Sequence, residues 1–167
     1  MTSQISKALA SVACRRMMVL ILIVVSFLSL HAQQSQPTME QQLAALQRLE
    51  AMQPDSIQPK YQQAMLLLGT VCSQPQTSKA QQYIDEAQRM IQSIEALQPT
   101  KATDRSDLAT LHGFYYTAII VTNPQQNGPR YYRQALDSFD EALKLNPKNG
   151  MAKMLLARFN EGMNSSK

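Results

Sequence analysis

Asp104, Ser106, Asp107 and His112 carry the residue types of a hydrolytic centre within one short stretch. A serine nucleophile, an imidazole base and an orienting carboxylate work only when they converge beside donors that stabilise an oxyanion. No neighbouring pattern supplies such donors. Asp104 and Ser106 instead open an apolar helical stretch, where short polar side chains cap free backbone N–H groups. Metal chemistry is equally poorly provided for. Outside residues 1–32, His112 is the single histidine and Cys72 the single cysteine, so no ligand set with recognisable spacing can be assembled. The five glycines are isolated and form no phosphate-cradling loop. The expectation is a chain with no catalytic, cofactor or metal residues, not an enzyme.

The aromatic residues are the better candidates for contact with another molecule. Phe114, Tyr115, Tyr116, Tyr131 and Tyr132 gather with Arg130 and Arg133 around one connection. At helical spacing such residues mostly pack inside, but Tyr and Arg are also enriched where proteins bind one another. Tyr115, Tyr116, Arg130, Tyr131 and Arg133 are therefore candidate interaction residues. A small-ligand pocket near Tyr116, Tyr131 and Arg133 is the alternative function. Cys72 ends an apolar run and reads as a small hydrophobe of the core.

The elements that must position these groups begin with one that is expected to be removed. Arg15 and Arg16 precede an apolar run from Met17 to Leu30, followed by His31 and Ala32. Positive charge, short apolar core and small residue, in that order, predict a secretory signal over 1–32, cleaved after Ala32. The run is shorter than the about 20 residues of a spanning helix, so no membrane span is expected after cleavage. An inner-membrane anchor is the alternative. Gln33, where a lipoprotein would carry cysteine, argues for a periplasmic or secreted protein. The charge balance changes with the signal. Of 16 basic residues Lys7, Arg15 and Arg16 lie in it, which leaves 13 against 12 acidic ones, a net of +1. The rest are scattered singly among acids, so nucleic acid is not an expected partner. With Cys72 alone remaining, no internal disulfide can form.

The remaining 135 residues repeat themselves. "LEAMQP" at Leu49 to Pro54 returns as "IEALQP" at Ile94 to Pro99, 45 residues on, and its ending recurs at Pro147 after a further 48. Leu46, Leu49 and Met52 thereby align with Ile91, Ile94 and Leu97, and these with Phe139, Ala142 and Leu145. Apolar residues three and four apart from Ala80 to Leu97, and from Tyr132 to Leu143, predict amphipathic helices. Proline lacks the amide a continuing helix needs, so Pro54, Pro99 and Pro147 end them. Thr38 with Gln41, and Ser78 with Gln81, have the spacing of a capping box. Pro129, after Asn127 and Gly128, predicts the first turn of another helix. Apolar partner helices lie between, over Ser56 to Cys72 and Asp107 to Val121. They can be fitted to a helical repeat in two registers, through Ala64 and Ala109 or through Gly69 and Gly113. A hairpin cannot bury its stripe alone, so the units are expected to stack.

Ala135-x-x-x-Phe139-x-x-Ala142-x-x-x-x-Pro147 resembles the second helix of a tetratricopeptide repeat, and Thr110 to Tyr116 resembles its first. The stretch from Asp55 to Met163 resembles small secreted tetratricopeptide-type proteins of the Bacteroidota. The units exceed the usual 34 residues, with the excess expected in loops at Ser73 to Lys79 and Thr122 to Arg130. The resemblance implies an all-α, right-handed solenoid of antiparallel helical hairpins over 38–163, between a flexible segment at 33–37 and a disordered 164–167. A compact bundle of the same helices is the alternative. A solenoid without reactive groups implies a protein-interaction module with protein partners. The last helix bears apolar residues over about 200° of its circumference, more than one neighbour covers. Leu156, Phe159 and Met163 are accordingly expected to form an outward association surface, for a partner helix or a homodimer.

Overall fold

The computed structural model describes residues 37–164. Among them are six α-helices and no strand: α1 Met39–Met52, α2 Ile57–Ser73, α3 Ala80–Ala96, α4 Ala102–Thr122, α5 Pro124–Leu145 and α6 Gly150–Asn164. The expected signal segment and its cleavage site lie outside the described residues. The last helix runs to Asn164, one residue into the stretch expected to be disordered.

Local chemistry explains most boundaries. The capping box at Thr38 forms in full: its hydroxyl accepts from Gln41 N at 3.3 Å, and the Gln41 side chain accepts from Thr38 N at 3.0 Å. Pro54, Pro99 and Pro147 follow the ends of α1, α3 and α5, and Ser56, Lys101 and Asn149, two residues after each proline, stand immediately before α2, α4 and α6. Gln98 reaches Pro99 with φ of 50°, a left-handed turn that a glycine would make more easily.

Two expected starts are corrected. Ser78 and Gln81 form no capping box. Turns closed by backbone carbonyls lead the chain into α3 instead, with Ala80 N donating to Thr77 O at 3.0 Å, while the Gln81 side chain turns to Asp85. The stretch Thr122 to Arg130 is not a loop either. Asn123 alone separates α4 from α5: its side chain accepts from Gln126 N at 3.3 Å, and Pro124 takes the first helical position, where a missing N–H costs nothing. The Asn127 side chain donates to Ile119 O at 2.8 Å, satisfying a carbonyl at the open end of α4. Pro129 therefore sits inside α5, not at its start.

Packing follows the order of the chain. α2 pairs with α3 and α4 with α5; α2 also lies against α4 and α4 against α6; α3 touches α4, α5 touches α6, and α1 touches α2 alone. Among the described residues each helix thus meets only helices one or two places away. The α4–α5 pair is antiparallel, since Ser106 meets Ala142 while Tyr116 meets Tyr131. Gly113 allows this pair its closest approach: a Cβ there would lie 2.7 Å from the ring of Phe139, which is fully buried. Leu67, Leu68, Ile94, Leu111 and Phe139 are the largest apolar side chains wholly withdrawn from water, each worth about 1.5–3 kcal/mol on burial. Between α1 and α2, Lys60 is buried yet satisfied: it donates to the Pro54 and Ser56 carbonyls and lies 3.6 Å from Glu50.

Candidate functional site

The residue types of a triad do not converge. Ser106 is buried and caps nothing: its hydroxyl donates to Ala142 O at 2.7 Å and accepts from Asn149 Nδ2 at 2.9 Å. His112 faces the other way, with Nε2 3.0 Å from Glu95 Oε1 on α3. Asn149 is the hub that sequence reasoning missed. Its Oδ1 accepts from Ala152 N at 3.0 Å, capping α6, while Nδ2 reaches Ser106, Asp107 at 3.0 Å and Thr110 at 3.2 Å, all on α4. The signal was present in an Asn two residues after Pro147, ahead of an apolar run. Burial raises the Asp107 carboxyl above its ordinary value; the Asn149 bond pulls it down and Asp104 pushes it up again. Across from it on α2, burial first and Asp107 second push the Tyr61 phenol up to about 12.

The aromatic candidates come together as a stack. Tyr116 and Tyr131 lie parallel with centroids 5.9 Å apart, Tyr115 meets Tyr116 edge-on at 5.5 Å, and the Arg130 guanidinium sits 5.6 Å over Tyr131. Arg133 is exposed on α5. Tyr115 is half-buried, and its phenol is raised by burial and then by Tyr116, Asp85 and Tyr131.

Phe159 is corrected. It is 5% exposed, stacked on Tyr132 at 5.5 Å and tilted against Phe139 at 6.3 Å. The wide apolar arc of α6 is covered because α6 packs on both α4 and α5, not on one neighbour. Leu156 and Met163 are half-buried against the same core, and the large apolar side chain that α6 exposes is Met154.

A cavity of about 420 Å³ opens across α2, α4 and α6. Its walls include Gly69 and Cys72 from α2, Phe114 and Thr117 from α4, and Phe159 and Met163 from α6. Gly69, Phe114 and Gly162 each stand thirteen residues beyond the cap positions Ser56, Lys101 and Asn149, so one repeat position lines one cavity three times. This sets the register: Ala64 matches Ala109, and Gly69 matches Phe114 rather than Gly113. A Cβ at Gly69 or Gly162 would meet nothing within 4 Å, and the Phe114 ring stands between two such gaps. Arg158 is the charged side chain on the wall. Burial pushes the Cys72 thiol up to about 12, so it stays protonated and behaves as an apolar surface. Tyr116, Tyr131 and Arg133 are not on this wall; at 100° per residue Tyr115 points away from the side of α4 that carries Phe114, Thr117, Ile120 and Val121, while Tyr116 stands about 40° from Ile120 at its edge. The lining is mostly apolar, and its hydroxyls, Ser73 and Thr117, donate to the Gly69 and Gly113 carbonyls of their own helices.

Among the described residues no group of His, Cys, Asp and Glu side chains could hold a metal ion, and no helix is long and apolar enough to cross a membrane. No protein-family model matches the chain, and neither curated proteins nor solved structures yield a match.

Proposed function

We propose that the protein is an exported, non-enzymatic interaction module whose helices stack as a right-handed, tetratricopeptide-like solenoid and take an apolar stretch of a partner protein along α2, α4 and α6. One observation carries this reading: Gly69, Phe114 and Gly162 hold the same repeat position and line the same cavity. A surface built by repetition extends along the stack, which suits a segment of chain better than a compact ligand. Nearest-neighbour packing of the helices supports the stack, and the sequence of Arg15, Arg16, the apolar run and Ala32 supports export.

A photoreactive phenylalanine analogue at Gly69 tests the binding surface, because a side chain there enters open space. Irradiation in the native envelope is expected to give a discrete protein adduct from position 69 and none from position 133, on the Tyr and Arg side. Adducts from 133 alone, or from both equally, would overturn the reading. Intact mass of the exported protein tests the leader: a chain beginning at Gln33 is expected, and retention of Met17 to Leu30 in the membrane fraction would make the protein an anchored one.

A further inference from the structure

The two ends of the helix series differ from its middle. By the spacing of the prolines, Leu49 and Met52 of α1 stand where α3 has Ile94 and Leu97 and α5 has Ala142 and Leu145. Ile94 and Ala142 are fully buried, whereas Leu49 is 44% and Met52 77% exposed. The cause is in the packing: α3 lies between α2 and α4, and α5 between α4 and α6, while α1 touches α2 alone among the described helices. Among the described residues α1 lacks the helix that should precede it.

At the other end, no helix follows α6 among the described residues. α6 begins three residues past Pro147, as α2 and α4 begin three past Pro54 and Pro99, and those helices each pair with their successor. In the α4–α5 pair, Ser106 meets Ala142. The residue at the place of Ser106 in α6 is Met154, 39% exposed, and Ala157 one turn on is exposed too. The residue at the place of Ala142 in α1 is Leu49. Two exposed apolar positions at opposite ends of the molecule are therefore those that meet inside a complete pair.

We propose that α6 of one molecule packs against α1 of a second copy, with Met154 seated on Leu49 and Met52, so that the two exposed faces form a helix pair like that of α4 and α5. The contact joins unlike surfaces, so it propagates head to tail unless it closes into a ring. A few side chains a side fall short of the about 1,200 Å² of a stable interface, so the assembly is expected to depend on concentration. The proposal rests on the repeat and the packing order, and it does not need the groove to bind anything.

Sedimentation velocity on the exported protein, from micromolar to millimolar, is the test. The average mass is expected to rise past that of a dimer. Leu49→Glu and Met154→Glu, both at exposed positions, should each leave a monomer, while an equimolar mixture of the two should give a one-to-one dimer and nothing larger. The mixture works because the first variant keeps an intact α6 and the second an intact α1. Dimers of Leu49→Glu alone would mean that α6 pairs with α6, and dimers of Met154→Glu alone that α1 pairs with α1. Either result, or a monomer throughout for the unsubstituted protein, overturns the proposal.

Discussion

The side-chain amide of Asn149 donates to the Ser106 hydroxyl at 2.9 Å and so fastens the start of α6 to α4. Asn149→Ala removes the cap on Ala152 and leaves buried hydroxyls of Ser106 and Thr110 with fewer partners. A loss of about 2 to 4 kcal/mol is expected from the two effects together. Asn149→Asp keeps the cap acceptor but cannot donate, and it sets a second carboxylate beside Asp107; it should also destabilise. Urea melts with an unchanged slope measure both. An Asp variant as stable as the original would show that the cap alone matters.

Stability should depend on pH through Asp107. Its carboxyl is held above the ordinary range, chiefly by burial, so folding favours the protonated form. That contribution is complete below the unfolded value of about 4 and is lost as pH rises through the raised folded value. Asp107→Asn keeps an acceptor for Asn149 without the charge. It is expected to be more stable than the original at pH 7, with the gap closing below about pH 4. Thermal melts across that range decide the point, and a less stable variant at pH 7 would mean that the charged bond to Asn149 outweighs burial.

Gly113 and Gly69 should respond in opposite directions to alanine. At 113 the new methyl meets the fully buried Phe139 ring at 2.7 Å, so overpacking of about 1–3 kcal/mol should exceed the gain in helix propensity. At 69 nothing opposes the methyl, and the change should stabilise by up to about 1 kcal/mol. Pairing Gly113→Ala with Phe139→Leu should recover part of the loss in a double-mutant cycle.

Phe139→Ala should cost about 3–5 kcal/mol, because its neighbours cannot close the cavity. Read as a loop, Gln125 to Asn127 would tolerate deletion cheaply. Within α5 the same deletion rotates the rest of the helix by about 60° against α4 and removes the Asn127 bond to Ile119. It is expected to be at least as harmful as Phe139→Ala in denaturant melts.

The sequence by itself determined whatever neighbours along the chain decide. Pro54, Pro99 and Pro147 stop helices because of a missing amide, Thr38 and Gln41 reach each other across three residues, and the apolar stripes of α3 and α5 come from a period of 3.6. Pro129 misled for the same reason: Asn127, Gly128 and Pro129 resemble a break locally, yet Asn123 caps the helix upstream of them and Asn127 is held by α4. Only the tertiary structure decided which apolar residues stay uncovered. Phe159 is buried and Met154 exposed because, among the described residues, α6 packs on α4 and α5 with one face only, and Gly113 touches Phe139 while Gly69 opens a cavity because each meets a different helix. Such differences depend on which surfaces approach in space, and two residues of the same type in similar local sequence carry no mark of it.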